Sequence, residues 1–134
     1  MTIVYRDDAP VDVGMFRDIL ERSSLAERRP VNEPDRLQKM LAAYTFAITA
    51  WDGERLVGIS TVWTDYAFTA YLADLAVDLA YQKTGIGRRL VELSREKVGN
   101  QVTLLLLAAP KAAGYYPKIG MERFTDCFLY RRLR

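Results

Sequence analysis

Residues 71–90 read YLADLAVDLAYQKTGIGRRL, and they combine a strand pattern, a glycine-containing loop and the start of a helix. Residues 70–77 are predicted to form a β-strand, and residues 78–84 a loop. From Ile86 onward the apolar residues recur with helical spacing, and Gly99 is expected to end that helix. The pattern therefore indicates a strand that passes through a short loop into a helix.

A second strand-like segment follows this helix. Residues 102–108 form a continuous apolar run, which is typical of a strand buried on both faces. A strand, a helix and a strand at this spacing form a βαβ unit, so we expect residues 70–77 and 102–108 to be parallel. Residues 111–119 then predict a short helix that ends at Gly120, and residues 124–131 predict a closing strand.

The N-terminal half predicts an antiparallel meander with two helices. Residues 44–51 and 56–64 are rich in strand-forming residues, and Asp52-Gly53 between them is a strong hairpin signal. Asp12 is placed to cap a first helix, and Pro34 suits the first position of a second. No linker divides the chain. We therefore expect one α/β domain with a central mixed sheet flanked by about four helices.

The composition excludes several classes of function. The 134 residues include no histidine and one cysteine, Cys127. Ser-His-Asp and Cys-His catalysis are therefore excluded, and the usual zinc and non-haem iron sites are too, so no metal is expected. Without a partner histidine to lower its pKa, Cys127 is interpreted as a small apolar filler.

Charge and hydropathy limit the kinds of partner and the cellular compartment that we expect for this protein. The formal net charge of +2 is too small to predict nucleic-acid binding. The longest apolar run is far shorter than a membrane span, so no membrane association is expected. The N-terminus lacks the apolar region of a signal peptide, and a lone cysteine fits a reducing compartment. We therefore expect a cytoplasmic protein.

The loop at residues 82–87, Gln-Lys-Thr-Gly-Ile-Gly, has features of an anion site. It lies between a strand and a helix, where backbone N–H groups favour an anion, and Gly85 and Gly87 have no Cβ to block its approach. Basic residues occupy the loop and the first turn of the helix, where the helix dipole disfavours them: Lys83, Arg88 and Arg89. The spacing is neither a P-loop nor a dinucleotide fingerprint, because Leu90 holds the place of the third glycine. On this motif alone, a glycine turn with solvated basic residues is the alternative.

Two elements together resemble the GCN5-related N-acetyltransferase (GNAT) superfamily. Residues 71–90 are similar to its signature, in which a strand ending in Val and a short loop lead into Gln/Arg-x-x-Gly-x-Gly/Ala at a helix start. Residues 115–121, YYPKIGM, resemble its aromatic-Tyr-x-x-x-Gly-Phe element, with Pro117 where an acidic residue is commoner. The resemblance implies a GNAT-like acyl-CoA N-acyltransferase fold in which strands 70–77 and 102–108 splay apart.

The resemblance also implies a function and a cofactor site. It implies transfer of an acetyl group from acetyl-CoA directly to a primary amine of a small molecule or a polypeptide. The backbone of Leu75, Ala76 and Val77 is expected to meet the pantetheine arm, and the N–H of Val77 to polarise the thioester carbonyl. The loop amides are expected to hold the pyrophosphate: Gln82, Lys83, Thr84, Gly85, Ile86, Gly87 and Arg88.

Two side chains are candidates for proton transfer. The resemblance implies that Tyr116 protonates the departing coenzyme A thiolate, which a phenol can do. Tyr115 is the neighbour that a one-residue shift of the helix would put in its place. Asp74, three residues before Val77, is a candidate general base. A structural hydrogen bond or salt bridge is the other interpretation of Asp74, and water relays serve as the base in many members of the family.

The acceptor cannot be read from the sequence. Residues 23–33 and 64–69 match the acceptor regions of the family, but they carry both signs of charge: Arg28 and Arg29 against Glu27, Glu33 and Asp65. A non-catalytic acetyl-CoA or coenzyme A sensor or subunit on the same fold is an open alternative, as is a nucleotide-binding βαβ protein of another class. Homodimers are common in the family, although no interface can be read here.

Overall fold

One mixed sheet of five strands forms the centre of the computed structural model, which describes residues 2–133. The strands lie across the sheet in chain order: β1 (Ile3–Arg6), β2 (Phe46–Asp52), β3 (Arg55–Thr64), β4 (Thr69–Val77) and β5 (Thr103–Leu105). The first four strands pair antiparallel, and β5 pairs parallel with β4. The predicted change from an antiparallel meander to a parallel βαβ unit is confirmed.

Four α-helices accompany the sheet within residues 2–133: α1 (Val13–Arg22), α2 (Pro34–Ala43), α3 (Ile86–Val98) and α4 (Tyr115–Lys118). The side chain of Asp12 accepts a hydrogen bond from the N–H of Met15 at 2.8 Å, so it caps α1 as predicted. Pro34 begins α2, and Gly99 follows the last residue of α3, also as predicted. In the described part of the chain, no helix is long and apolar enough to cross a membrane.

The sheet has an apolar core on each face. Helices α1 and α2 cover one face, where Phe16 and Leu37 are buried against Ile59 of β3. Helix α3 covers the other face, where Leu90 is buried among residues of β2, β3 and β4, including Val57. The loop that follows β4 lies outside both cores, and its residues 82–85 are exposed.

The β2–β3 hairpin turns at Gly53 and Glu54, because Asp52 pairs with Arg55 across the ladder. Gly53 has a φ of +60°, as the first central residue of a type II′ turn requires. The turn is therefore displaced by one residue from the predicted Asp52-Gly53, and Asp52 belongs to β2.

A β-bulge divides β4 into two parts. Thr61 pairs with Asp74 and Val62 pairs with Leu72, so Ala73 is an extra residue on β4. The bulge changes which side chains face which helix layer. Leu72 before it packs in the core beneath α3, whereas Ala76 after it packs in the core beneath α1 and α2. The bulge thus turns the side chain of Asp74 towards the layer of α1 and α2.

The parallel strand β5 is shorter than the predicted 102–108. Its register with β4 runs only from Thr69 opposite Thr103 to Tyr71 opposite Leu105. Residues 106–109 leave the ladder and have no regular secondary structure. The contact between the two parallel strands is therefore confined to one end, as expected for strands that splay apart.

The prediction of a closing strand at residues 124–131 is wrong for this structure. Residues 122–133, here called the C-terminal arm, have no strand assignment, and all of their side chains are exposed. The sequence of the arm is rich in β-forming residues, but β-propensity expresses packing against a neighbouring strand rather than an intrinsic backbone preference. The described chain offers the arm no such neighbour. The predicted helix at 111–119 is likewise reduced to a 3-10 turn at Pro110–Ala112 and the short α4.

Candidate active site at the open edge of β4

The outer edge of β4 is open beyond Tyr71, because no strand of the described chain pairs with it there. The N–H of Asp78 donates to the carbonyl of Val57 on β3 at 2.9 Å. Successive backbone N–H groups of an extended chain point to opposite edges. The N–H of Val77 therefore faces the open edge, away from β3. The backbone predicted to meet the pantetheine arm is thus unpaired on the side where the two parallel strands diverge.

The loop after β4 presents a row of free amides. Lys83 has a φ of +64° and Gly85 a φ of +91°, so left-handed residues are interspersed along the loop. In the described structure, none of the amides of residues 83–88 donates to a protein acceptor, whereas the N–H of Arg89 donates to the carbonyl of Gly85. Free amides in such a turn, at the start of a helix, form a concave site for an anion. Six of the seven predicted pyrophosphate-binding positions lie in this row.

Contacts on the side away from the open edge hold the loop in place. The carboxylate of Asp78 accepts a hydrogen bond from the N–H of Ala80 at 2.8 Å and forms ion pairs with Arg22 and Arg55. Burial alone raises the pKa of the Asp78 carboxyl, but the Ala80 hydrogen bond and the Arg22 guanidinium together lower it below its ordinary value. The local sequence does not mark Asp78 as a site residue, because its charged partners lie on α1 and β3.

Two further side chains fix the loop. The hydroxyl of Tyr81 donates to the carboxylate of Asp52 at 2.6 Å, and the side-chain amide of Gln82 donates to the carbonyl of Val77 at 3.0 Å. Gln82 thus ties the start of the loop to the end of β4. A site whose shape is set before the ligand arrives loses less entropy on binding.

The basic residues of the loop differ in their partners. Arg88 and Arg89 both form ion pairs with Glu92, at 3.1 Å and 3.3 Å. These exposed pairs partly compensate the unfavourable position of the two cations near the helix N-terminus, so Arg88 and Arg89 do not by themselves require a bound phosphate. Lys83 has no ion pair among the described residues.

Gly87 lies directly beneath the phenol of Tyr115. A Cβ at this position would be 3.2 Å from the hydroxyl oxygen of Tyr115 and 3.7 Å from Cγ2 of Val77. A Cβ here would crowd the Tyr115 hydroxyl by a few tenths of an ångström, so the close approach of α4 to the start of α3 favours glycine at position 87. The contact joins the two predicted elements, the glycine loop and the tyrosine pair, in one site.

The rings of Tyr115 and Tyr116 meet edge to face, with their centroids 5.3 Å apart. Burial raises the pKa of both phenols, and the neighbouring Tyr115 raises that of Tyr116 further. Both phenols are therefore protonated at neutral pH and able to donate a proton. Tyr116 is the less exposed of the two, and Tyr115 is the one that contacts Gly87.

Asp74 lies in a buried hydrogen-bond network. Its side chain is 1% exposed, and it accepts hydrogen bonds from Arg29 Nε at 2.6 Å, Tyr44 Oη at 2.5 Å and Thr61 Oγ1 at 2.7 Å. Arg29 also donates to the carbonyl of Ala73, the bulge residue, at 2.8 Å. Burial and the Asp74 carboxylate raise the pKa of the Tyr44 phenol, which stays a donor. Both carboxylate oxygens of Asp74 are therefore engaged, an arrangement that suits a residue holding the bulge in shape.

Comparison with known families identifies one match that covers most of the chain. The family described as "Acetyltransferase (GNAT) domain" matches residues 19–129. The chain is 32% identical to a histone acetyltransferase, TAP1, of Glycine max over 74 residues, which are 52% of this chain and 31% of that protein. It is 33% identical to a chloroplastic GCN5-related N-acetyltransferase of Arabidopsis thaliana over 81 residues, 53% of this chain and 30% of that protein. The match thus spans about a third of the length of these curated relatives.

Solved structures share the fold along nearly the whole chain. A probable acetyltransferase from Staphylococcus aureus superposes with a TM-score of 0.80 at 20% identity, covering 98% of this chain and 99% of that one. An aminoglycoside acetyltransferase from an uncultured soil metagenomic sample, solved in complex with sisomicin, superposes with a TM-score of 0.72 at 20% identity. The match covers 98% of this chain and 97% of that one. A transcriptional regulator from Bacillus halodurans superposes with a TM-score of 0.74 at 20% identity, covering 98% of this chain and 100% of that one. At these identities the likeness concerns the fold.

Proposed function

The chain belongs to the GNAT acetyltransferase family, whose domain matches residues 19–129. From this premise we propose that it transfers the acetyl group of acetyl-CoA directly to a primary amine of a small molecule or a polypeptide. The observation that carries the proposal is the continuity between the open edge of β4 and the row of free amides at residues 83–88. A ligand with an anionic pyrophosphate at one end and an amide-containing arm at the other matches this surface.

The proposed cofactor site follows this surface from end to end. The amides of residues 83–88 hold the pyrophosphate, as free N–H groups at a helix N-terminus do for phosphates, whereas the N–H of Gln82 donates to the carbonyl of Leu79 at 3.5 Å. The backbone of residues 75–77 pairs with the pantetheine arm, which takes the place of a neighbouring strand. Lys83 supports the phosphates electrostatically, and it is the basic residue of the loop without an ion pair among the described residues.

The proposed chemistry uses one backbone group and one phenol. The lone pair of a neutral amine attacks the thioester carbonyl carbon, and the N–H of Val77 stabilises the negative charge that develops on the carbonyl oxygen. The nitrogen of the new C–N bond loses one proton to water, the C–S bond breaks, and Tyr116 donates its proton to the departing thiolate, which leaves a neutral amide and coenzyme A thiol. The raised pKa of Tyr116 keeps that proton in place until the thiolate forms.

Asp74 remains a candidate general base, but its contacts favour a positioning role. Its carboxylate already accepts hydrogen bonds from Arg29, Tyr44 and Thr61. We therefore assign removal of the ammonium proton to water, with Asp74 holding the β4 bulge beside the reacting carbonyl. The same contacts bear on the acceptor, because Arg29 is committed to Asp74 and is a poor candidate for binding a substrate carboxylate.

A transfer assay tests the proposed function. The protein is incubated with acetyl-CoA and a panel of polyamines, aminoglycosides, amino acids and lysine-containing peptides, and the release of coenzyme A thiol is followed together with the mass of the amine. We expect one class of amine to gain an acetyl group at a rate well above hydrolysis. Saturable binding of acetyl-CoA without transfer to any amine would instead favour the non-catalytic sensor on the same fold.

A further inference from the structure

Three apolar side chains form a row across β3, β4 and β5. Trp63 is paired with Tyr71, and Tyr71 is paired with Leu105, so the three side chains project from the same face of the sheet. Their neighbours along the strands, among them Leu72 and Leu104, pack in the core beneath α3. The apolar row therefore lies on the opposite face, which α1 and α2 cover elsewhere.

The helices leave this row uncovered. Trp63 is 46% exposed and Leu105 is 43% exposed, and Tyr71 between them is half-buried. Tyr44 packs against the core beneath α1 and α2, and its ring meets that of Trp63 edge to face with the centroids 6.0 Å apart. Contiguous apolar side chains at a surface mark interaction sites, whereas single ones are normal.

The apolar row lies at the closed end of the opening beside β4. The register of β4 with β5 ends at Tyr71 and Leu105, and beyond them the outer edge of β4 has no partner strand among the described residues. The proposed pantetheine arm occupies this edge at residues 75–77. Residues 72–74 remain, and at ~3.3 Å per residue they leave about 10 Å between the arm and the row. That length suits an amine on a short alkyl chain whose other end reaches the row.

The charges beside the row favour an acceptor with a single amine. Residues 55–77 and 103–109, which include these strands and the β3–β4 turn, contain two acidic residues, Asp65 and Asp74. Asp74 is buried, and Arg29 already compensates its charge. Oδ1 of Asp65 accepts hydrogen bonds from three backbone N–H groups of the turn. Because both carboxylates already have partners, the row matches an acceptor whose far end is uncharged.

We propose that the apolar row binds the aromatic end of the acceptor, so that the substrate is a small primary monoamine with an aryl group on a short alkyl chain. This inference rests on the proposed function, since it names the acceptor of that transfer. A ring packed on Trp63 and Tyr71 buries apolar surface in an aromatic contact, and Leu105 extends that contact. The amine nitrogen then points along the free edge of β4 towards the thioester.

A comparison of three amines tests the substrate class. Acetyl transfer is measured with phenethylamine, butylamine and spermidine, and we expect kcat/KM for phenethylamine to exceed that for the other two by about tenfold or more. Trp63→Ala and Leu105→Ser, at the two ends of the row, should each bring the ratio of phenethylamine to butylamine close to one. Phe68→Ala is the control and should keep the ratio, since Phe68 is 77% exposed in the β3–β4 turn, outside the row. Faster transfer to spermidine, or a ratio that survives both row variants, would overturn the inference and leave the transferase activity standing.

Fluorescence quenching tests the row independently of acetyl transfer. The sequence has two tryptophans, so Trp51→Phe leaves Trp63 as the only one. The probe is para-nitrophenethylamine, whose nitroaryl ring quenches tryptophan on contact, added in the presence of coenzyme A. We expect saturable quenching that phenethylamine relieves and spermidine does not.

The outcomes of this experiment separate the inference from the proposed function. Saturable quenching without transfer to any amine would support the aryl site and count against the proposed function alone. Absence of saturable quenching would show that another segment or copy of the chain covers Trp63, or that the row binds no aryl group, and would overturn the inference. Equal relief of quenching by spermidine would also overturn it, because the site would then select a cation.

Discussion

Arg29 and Asp74 are 45 positions apart in the sequence, yet Nε of Arg29 donates to Oδ1 of Asp74 at 2.6 Å. The same guanidinium donates to the carbonyl of Ala73 at the β4 bulge. This pair joins the loop before α2 to the strand whose next residues form the proposed cofactor edge. The segment that the resemblance assigns to the acceptor is thereby tied to the backbone beside the proposed position of the thioester carbonyl.

The first prediction concerns this pair. Arg29→Ala leaves the buried carboxylate of Asp74 without its cation, and we expect a loss of roughly 2–4 kcal/mol in the free energy of unfolding. Urea denaturation measures this loss. The control is Arg36→Ala, which removes an exposed pair with Glu33 and should change stability little. Equal effects of the two substitutions would contradict the structural role of Arg29.

The second prediction separates the two tyrosines. Once an acceptor is known, Tyr116→Phe should lower kcat by about 10²-fold or more, because the thiolate loses its proton donor, while the affinity for acetyl-CoA stays nearly unchanged. Tyr115→Phe is the matched control and should keep kcat within a few-fold of the wild type. If Tyr115→Phe lowered kcat strongly and Tyr116→Phe left kcat nearly unchanged, Tyr115 rather than Tyr116 would be the proton donor.

The third prediction rests on the contact between Gly87 and Tyr115. Gly87→Ala places a Cβ 3.2 Å from the Tyr115 hydroxyl, so the Tyr115 side chain must move by a few tenths of an ångström beside the amides that we assign to the pyrophosphate. We expect weaker binding of acetyl-CoA, measured by calorimetry, with partial recovery when Tyr115→Phe removes the crowded hydroxyl. Gly114→Ala is the control, because a Cβ there meets no atom within 4 Å. An unchanged dissociation constant in Gly87→Ala would argue against this location of the cofactor.

The fourth prediction concerns pH. The Asp78 carboxyl has a pKa below its ordinary value in the folded protein, so its ion pairs stabilise the fold above pH ~3.9 and that contribution is lost as the pH falls through the lower, folded value. Asp78→Asn should therefore be less stable than the wild type at pH 7, and the difference should shrink below pH ~4. Unfolding in urea across this range measures it.

A second aspartate provides the control for the pH series. Asp18 also pairs with Arg22, but its side chain is 61% exposed. Asp18→Asn should therefore have a much smaller effect at neutral pH. A stability gap for Asp78→Asn that stayed constant down to pH 3 would show that the carboxylate charge is not what holds the loop.

The features that the sequence predicted well depend on local signals. The cap at Asp12, the start of α2 at Pro34 and the glycine loop before α3 each involve a few neighbouring residues, so their chemistry is visible in the sequence itself. Residue patterns also predicted the antiparallel meander and the parallel βαβ unit. The resemblance added the family and the splaying of strands 70–77 and 102–108, which is what indicated an open edge on β4.

The features that the sequence did not predict depend on contacts between distant segments. Nothing near Ala73 marks the bulge, which turns Asp74 towards Arg29 and Tyr44. The anchoring of Asp78 by Arg22 spans 56 positions. The C-terminal arm has the local pattern of a strand, but a strand also needs a neighbour, and a propensity cannot say whether that neighbour lies in the same chain.

A thermal shift with four ligands tests the central claim, that the loop after β4 binds the pyrophosphate of acetyl-CoA. The protein is heated with saturating acetyl-CoA, coenzyme A, ATP or NAD, because a ligand that binds only the folded state must raise Tm. We predict a clear rise with acetyl-CoA and coenzyme A, reduced in Gly87→Ala, and little or no rise with ATP or NAD. Protection by ATP or NAD with none from either form of coenzyme A would contradict the account.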